Sequence, residues 1–291
     1  MQNKKVYSYY FIIPAFMLYT VFFIIPTIAS FGYSFTNWNA ASIKIKFIGF
    51  ENFIYIFSNQ KTLLKYIYNT FLFAVVTTVF KNLFGIGLAL LMDAKVRGQN
   101  FLRGVFFLPY VLSPIVLGIV FASIFAPQGL FNNLLRLIGM DSITCAWLFD
   151  PRFAFVAVIF VEIWKYTGFN MVIYLAGLQT ISREYYQSAE IDGANWWTKF
   201  KTITVPLIIP SITINLVLNA ITGLRVFDIV YVLTNGGPGD RTDVLNTIVF
   251  KEYSNGLYGL STALGVVLFI ITAITAFALL RFMSSKERDL Q

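Results

Sequence analysis

Six long apolar stretches, separated by shorter polar segments, set the layout of this chain. They fall at about 9–31, 66–92, 104–125, 153–178, 205–227 and 260–283. Each meets the roughly 20 mostly apolar residues that a helix needs to cross a bilayer. Pro14 and Pro26 interrupt the first stretch, and Pro109 and Pro114 stand near the start of the third. Such breaks are tolerated in a membrane, because neighbouring helices can re-satisfy the backbone groups that they free. The pattern predicts an all-α integral membrane protein with six transmembrane helices in a single domain over residues 1–291.

The segment between the fourth and fifth stretches is polar yet keeps helical spacing. Residues 183–191 read as one short helix. Asp192-Gly193 is a stop signal, since glycine accepts the left-handed backbone that ends a helix. Residues 194–203 read as a second helix, and Pro206 opens the next apolar run, where a missing N–H costs least. Spacing alone leaves two uses open: a connection that reverses the chain, or a docking piece for another protein. Elsewhere, FIGFENFIYIF within 36–65 alternates apolar and polar residues without spanning length, which suits an interfacial or capping helix. Thr234-Asn235-Gly236-Gly237-Pro238-Gly239 marks a tight, irregular turn. A phosphate-binding loop is disfavoured there, because no strand precedes it and no Lys-Ser/Thr follows.

Composition removes several function classes. The 291 residues are 57% hydrophobic and 12% charged, against about 25% charged in a soluble domain, so lipid must cover much of the surface. One Cys excludes a disulfide framework and a cysteine-ligated cluster, and the absence of His removes the usual general base and commonest metal ligand. Cys145 reads as an inert small residue. The +8 charge comes with no dense basic run and no basic-aromatic platform, so it suggests basic membrane loops rather than nucleic acid. The first apolar run is too long for a signal-peptide core and lacks a clear cleavage site, so it reads as a retained span. With six spans both termini share a side. That side would hold Lys4, Lys5, Lys95, Arg97, Arg103, Arg183, Lys199, Lys201, Arg281, Lys286 and Arg288. The other would hold Lys44, Lys46, Lys61, Lys65, Arg136, Arg152, Arg241 and Lys251. Residues near the span ends give the bias, which places both termini and the 183–203 loop in the cytoplasm.

Two motifs carry a resemblance. Gln187-Ser188-Ala189, then Glu190-Ile191-Asp192 and Gly193, then Ile203, Val205, Pro206 and Pro210, is similar to the EAA loop of permease subunits in binding-protein-dependent ABC importers. Gln187 stands where that family has Glu, and Val205 where it has Leu. Phe227-Asp228, Tyr231, Leu233-Thr234-Asn235-Gly236-Gly237-Pro238 and Thr242 resemble the GGP signature of the carbohydrate permeases, in the subunit that pairs with a second, different permease. The likeness runs from Ile12-Ile13-Pro14-Ala15 to the sixth span.

The resemblance implies a type I ABC importer permease fold in a prokaryotic cell membrane. It also implies a second homologous permease, two ATPase subunits that carry ATP and Mg, and an extracytoplasmic solute-binding protein. No nucleotide motif and no cofactor are expected in this chain, which would not itself be an enzyme. The ATPase-coupling residues it implies are Gln187, Ser188, Ala189, Asp192, Gly193, Ala194, Phe200 and Pro206.

Charged residues inside spans are costly and tend to pair or face a cavity. Lys81, Glu162, Lys165 and Arg225 fall there. Glu162 and Lys165, three apart, can meet on one helix face; Lys81 and Arg225 can snorkel towards span ends. A sugar path wants hydrogen-bonding groups and aromatic faces. Trp164, Tyr166, Gly168 and Asn170 on the fourth span, with Asn215, Asn219 and Gly223 on the fifth, offer that mixture. Ser113 and Ser123 on the third are weaker candidates. Each polar residue has a second reading as a helix–helix hydrogen bond, and each glycine as a packing point. Disaccharide, longer oligosaccharide, polyol and glycerol phosphate all stay open as solutes, with a neutral oligosaccharide favoured because no convergent Arg/Lys cluster for phosphate is evident.

Two other classes stay in view. An ion-coupled secondary transporter would work through Glu162, Lys165 or Arg225 without an ATPase, though no internal repeat shows. An intramembrane enzyme has the least support, with no His, no serine nucleophile motif and no carboxylate cluster.

Overall fold

The structure, a computed structural model, describes residues 9–58, 60–94 and 97–288. Lys4, Lys5 and Lys95 of the orientation argument lie outside these residues, as do the side chains of Lys61 and Arg288. Among the described residues every named element is helical, and β pairing is limited to an isolated bridge between Thr36 and Phe47. The helices are α1 (Ile13–Tyr33), α2 (Glu51–Ser58), α3 (Gln60–Asp93), α4 (Gln99–Val111), α5 (Pro114–Ile124), α6 (Leu130–Leu137), α7 (Ala154–Leu178), α8 (Arg183–Ile191), α9 (Trp196–Leu207), α10 (Ile209–Leu224), α11 (Asp228–Thr234), α12 (Leu245–Ser254) and α13 (Tyr258–Arg288). Four of them, α1, α3, α7 and α13, are long and apolar enough to cross a membrane; the total reaches six if each of two bent pairs forms one span.

The bent pairs are where the apolar pattern misleads. The third stretch is two helices, α4 and α5, meeting at 97°. Leu112 is extended, Ser113 caps α5 by accepting the Ile115 N–H, and Pro114 occupies the first turn. Proline biases the residue before it away from helical backbone, so the break falls at Ser113. The fifth stretch does not open at Val205. α9 runs through Pro206 to Leu207 and bends by 68° into α10, which ends at Leu224 rather than Phe227. Within α9, Phe200–Thr204 winds as a π-helix, and so does Thr20–Ile24 within α1. Both lie just ahead of a proline, Pro206 and Pro26, whose missing N–H leaves the regular ladder one bond short.

Two compact units are distinguished. The first comprises residues up to Leu63 with Ile248–Phe269. In it the Asn52 side chain donates to the Ser34 and Thr36 carbonyls at 2.9 Å, and Phe35 packs on Phe50 and Phe53. This holds α2 as the short capping helix expected within 36–65. The apolar surface of α1 is left uncovered by the chain, as suits a lipid-facing or partner-facing helix.

The second unit comprises Leu64–Thr247 with residues from Ile270 onward. Its core joins Phe73, Leu117, Phe121, Val158, Val161 and Val230 from α3, α5, α7 and α11. A second cluster joins Met171, Tyr174 and Ile208 with Ala89. The loop after α5 is organised by Asn132. Its amide donates to the Ala126, Pro127 and Cys145 carbonyls and its oxygen accepts the Trp147 indole N–H at 2.8 Å. Asn132→Ala removes all four bonds from a buried site, each worth about 1 kcal/mol. It should open residues 126–150 to limited proteolysis while α3 and α7 stay protected. Equal cleavage in both proteins would refute this. Cys145 sits in the same loop, where burial and the Asp150 carboxylate push its thiol pKa up, away from reactivity.

Candidate functional site

Two regions concentrate chemistry. The first is the α8–α9 pair. Ser182 caps α8, accepting the Glu184 N–H. Gly193 then takes φ +75°, and the Gly193 and Ala194 N–H groups bond back to the Glu190 and Ala189 carbonyls at 3.0 and 2.8 Å. That pair of bonds is the Schellman stop, which needs a left-handed residue at this place. The second helix starts at Trp196, not Ala194, because Asn195 caps it through the Thr198 N–H at 2.9 Å.

Lys199 and Glu190 pair at 2.8 Å across the turn, and the Tyr186 and Thr204 hydroxyls bond at 3.0 Å. Trp196 and Phe200 stack with nearly parallel rings 5.4 Å apart, and Trp197 packs on the same Phe200 at 5.6 Å. The result is a fixed pair of helices whose large apolar side chains face outward: Ile191 is 87% exposed, Trp196 63% and Trp197 62%. Gln187, Ser188, Asp192 and Gly193 are exposed beside them, while Ala189, Ala194, Phe200 and Pro206 are half-buried. An exposed apolar patch with a polar rim marks a protein-contact surface.

The second region is a cavity of about 300 Å³. Glu162, Lys165 and Tyr166 of α7 form one wall; Thr222 of α10, Arg225, Phe227 and Asp228 form another, with Asn246 of α12 at the side. Glu162 does not meet Lys165 as its spacing allowed. Its Oε1 instead accepts the Lys81 Nζ at 2.8 Å, and Lys81, far from snorkelling, is completely buried, with its ammonium 4.2 Å from the Tyr166 ring centre. On a long helix an i,i+3 neighbour competes with a partner on the next helix, and here α3 supplies the better-placed charge.

Of the residues expected along a path, Glu162 and Lys165 reach this cavity, and Arg225 and Tyr166 join them. The others do not line it. Trp164 packs edge-on against Phe121. Asn170 and Asn219 are buried and bonded to each other, with Asn215 donating to the Asn170 carbonyl. A Cβ on Gly168 would run into the Phe106 carbonyl, and one on Gly223 would press on Ala74, so both glycines make room for a neighbouring backbone. Ser123 is exposed on α5. Asp228 and Asn246 escaped the sequence reading because they stand beyond the fifth stretch, and Thr222 because nothing in its spacing sets it apart inside that stretch; Asp228 alone had a signal, within the Phe227-Asp228 motif. Lys165 and Arg225 share the cavity with Glu162 and Asp228.

The glycine-proline motif itself forms a locked turn. The Thr242 hydroxyl donates to the Gly237 carbonyl at 2.8 Å and meets the Thr234 hydroxyl at 2.7 Å. The Asn69 side chain of α3 holds the Arg241 and Asp243 carbonyls from beneath.

Residues 81–288 match the family described as binding-protein-dependent transport system inner membrane component. The chain belongs to this family. It is 32% identical over 268 residues to a trehalose/maltose transport system permease protein of Thermococcus litoralis, covering 91% of this chain and 89% of the relative. It is 33% identical over 282 residues to a sulfoquinovosyl glycerol transport system permease protein of Agrobacterium fabrum, covering 94% and 89%. Its fold superposes on a chain of a bacterial alginate ABC transporter, solved in complex with a periplasmic protein bound to an alginate pentasaccharide. The TM-score is 0.82 and the identity 26%, over 97% of this chain and 94% of that one. The protein is thus a multi-pass membrane permease with the ABC importer fold.

Proposed function

We propose that this permease is one half of a heterodimeric, ATP-driven sugar importer. A second permease completes the path, an extracytoplasmic binding protein delivers the sugar, and two ATPase subunits dock on the α8–α9 loops at the cytoplasmic side. Both termini lie on that side. The observation that carries this reading is the rigid, outward-facing apolar cap of Ile191, Trp196 and Trp197, a surface too apolar to face water alone. The sugars named for the relatives support the solute class.

The coupling route follows the backbone. α9 continues through Ile208 into α10, and α10 supplies Ile221 and Thr222 to the cavity wall. When ATP binding draws the docked loops together, displacement of α9 turns α10 and reshapes the cavity; hydrolysis resets it. The test is uptake in proteoliposomes. Sugar accumulation should require ATP inside, the second permease, the ATPases and liganded binding protein together. Uptake by the purified chain alone under an ion gradient would overturn the proposal in favour of a secondary transporter.

A further inference from the structure

Lys165 is 7% exposed, and among the described residues no carboxylate lies within 4 Å of its ammonium. The Tyr166 ring centre lies 5.4 Å from its nitrogen. Buried charges are ordinarily paired, because an isolated ion out of water costs several kcal/mol. Lys81, equally buried, obeys that rule through Glu162. Among the described residues Lys165 has no such protein partner: its stem is buried while its ammonium opens on the cavity, where water or a solute can reach it.

The charges around that cavity do not cancel. Glu162 is neutralised by Lys81 from behind. Lys165 and Arg225 then face Asp228 alone, leaving one surplus positive charge. We propose that the missing partner of Lys165 is the solute, and that the solute is an acidic saccharide presenting a uronic-acid carboxylate at this point of the path. This inference rests on the sugar-import reading and narrows it. A single surplus charge matches a monoanion. A phosphate ester, carrying about −1.5 to −2 at neutral pH, would reverse the imbalance rather than relieve it.

The experiment uses the assembled importer in proteoliposomes with its binding protein. The probes are short oligomers of galacturonate, glucuronate, mannuronate and guluronate, each beside its carboxyl-reduced counterpart, which keeps the skeleton and loses the charge. At least one acidic probe should stimulate ATP turnover and accumulate, and its reduced form should not. Lys165→Gln should cut uptake of that probe about tenfold or more, the worth of one charged hydrogen bond, while Lys165→Arg should retain it. Accumulation of the reduced probes and not the acidic ones, or wild-type uptake of an acidic probe by Lys165→Gln, would overturn the inference and leave sugar import standing. Rescue of Lys165→Glu by a new basic residue on the second permease would also overturn it, by showing a partner across the subunit interface. If none of these probes stimulates turnover but a neutral glucose oligomer does, the inference is overturned and sugar import stands; if neither does, the import reading fails and the inference falls with it.

Discussion

Glu162→Leu should cost the folded permease about 3–5 kcal/mol, Lys81→Met somewhat less, and the two together far less than their sum. The pair is 2.8 Å apart, with side-chain exposures of 0% for Lys81 and 6% for Glu162. Removing the carboxylate strands an ammonium with no route to water and a single aromatic face against it. Removing the ammonium strands a carboxylate that borders the cavity, so it can hydrate, and that change should be cheaper. Replacing both by apolar groups leaves no orphan charge, and buried pairs are often no better than well-packed hydrophobes. Thermal unfolding of the four proteins in detergent measures the coupling directly. Additive losses, or a Glu162→Leu protein as stable as the parent, would show that the pair is not a structural lock.

That pair illustrates what the chain discloses before it folds. Apolar length alone locates α1, α3, α7 and α13, because only lipid or a helix core accepts so long a run with so few charges. It fails at α4–α5 and α9–α10, because a bend inside an apolar run changes no residue's hydrophobicity; the sole trace is proline, at 114 and at 206 and 210. Gly193 was legible for a local reason, since its left-handed backbone and its bonds involve only the four preceding residues and the next. The partners of Glu162 were not, since Lys81 lies 81 positions away and which helix packs against α7 is a property of the whole unit. The same limit hid the convergence of Lys165 and Arg225, and turned Asn170 and Asn219 from path candidates into a buried helix–helix bond. Local signals place turns and caps; charge partners wait on packing.

Gly193→Leu should leave a permease that inserts and assembles but no longer transmits solute binding to ATP hydrolysis, with stimulated turnover down about tenfold or more. A left-handed backbone costs a side-chain-bearing residue about 1–2 kcal/mol, small beside the stability of the bundle but acting wholly on one turn. The chain can avoid that cost by giving up φ +75° and with it the two bonds from Gly193 and Ala194 to Glu190 and Ala189. Those bonds fix the angle between α8 and α9, and α9 is the arm that runs into α10. A Cβ at 193 would meet nothing within 4 Å in this chain, so internal crowding is not the cause. Gly193→Asn separates conformation from contact with a docked ATPase. Asparagine is close to leucine in size but tolerates the left-handed region, so it should keep most of the coupling. If Leu couples normally in reconstituted complexes, the turn does not transmit the stroke. If Asn and Leu fail alike, the loss comes from bulk at the docking surface, and the angle between the two helices is not what the motor reads.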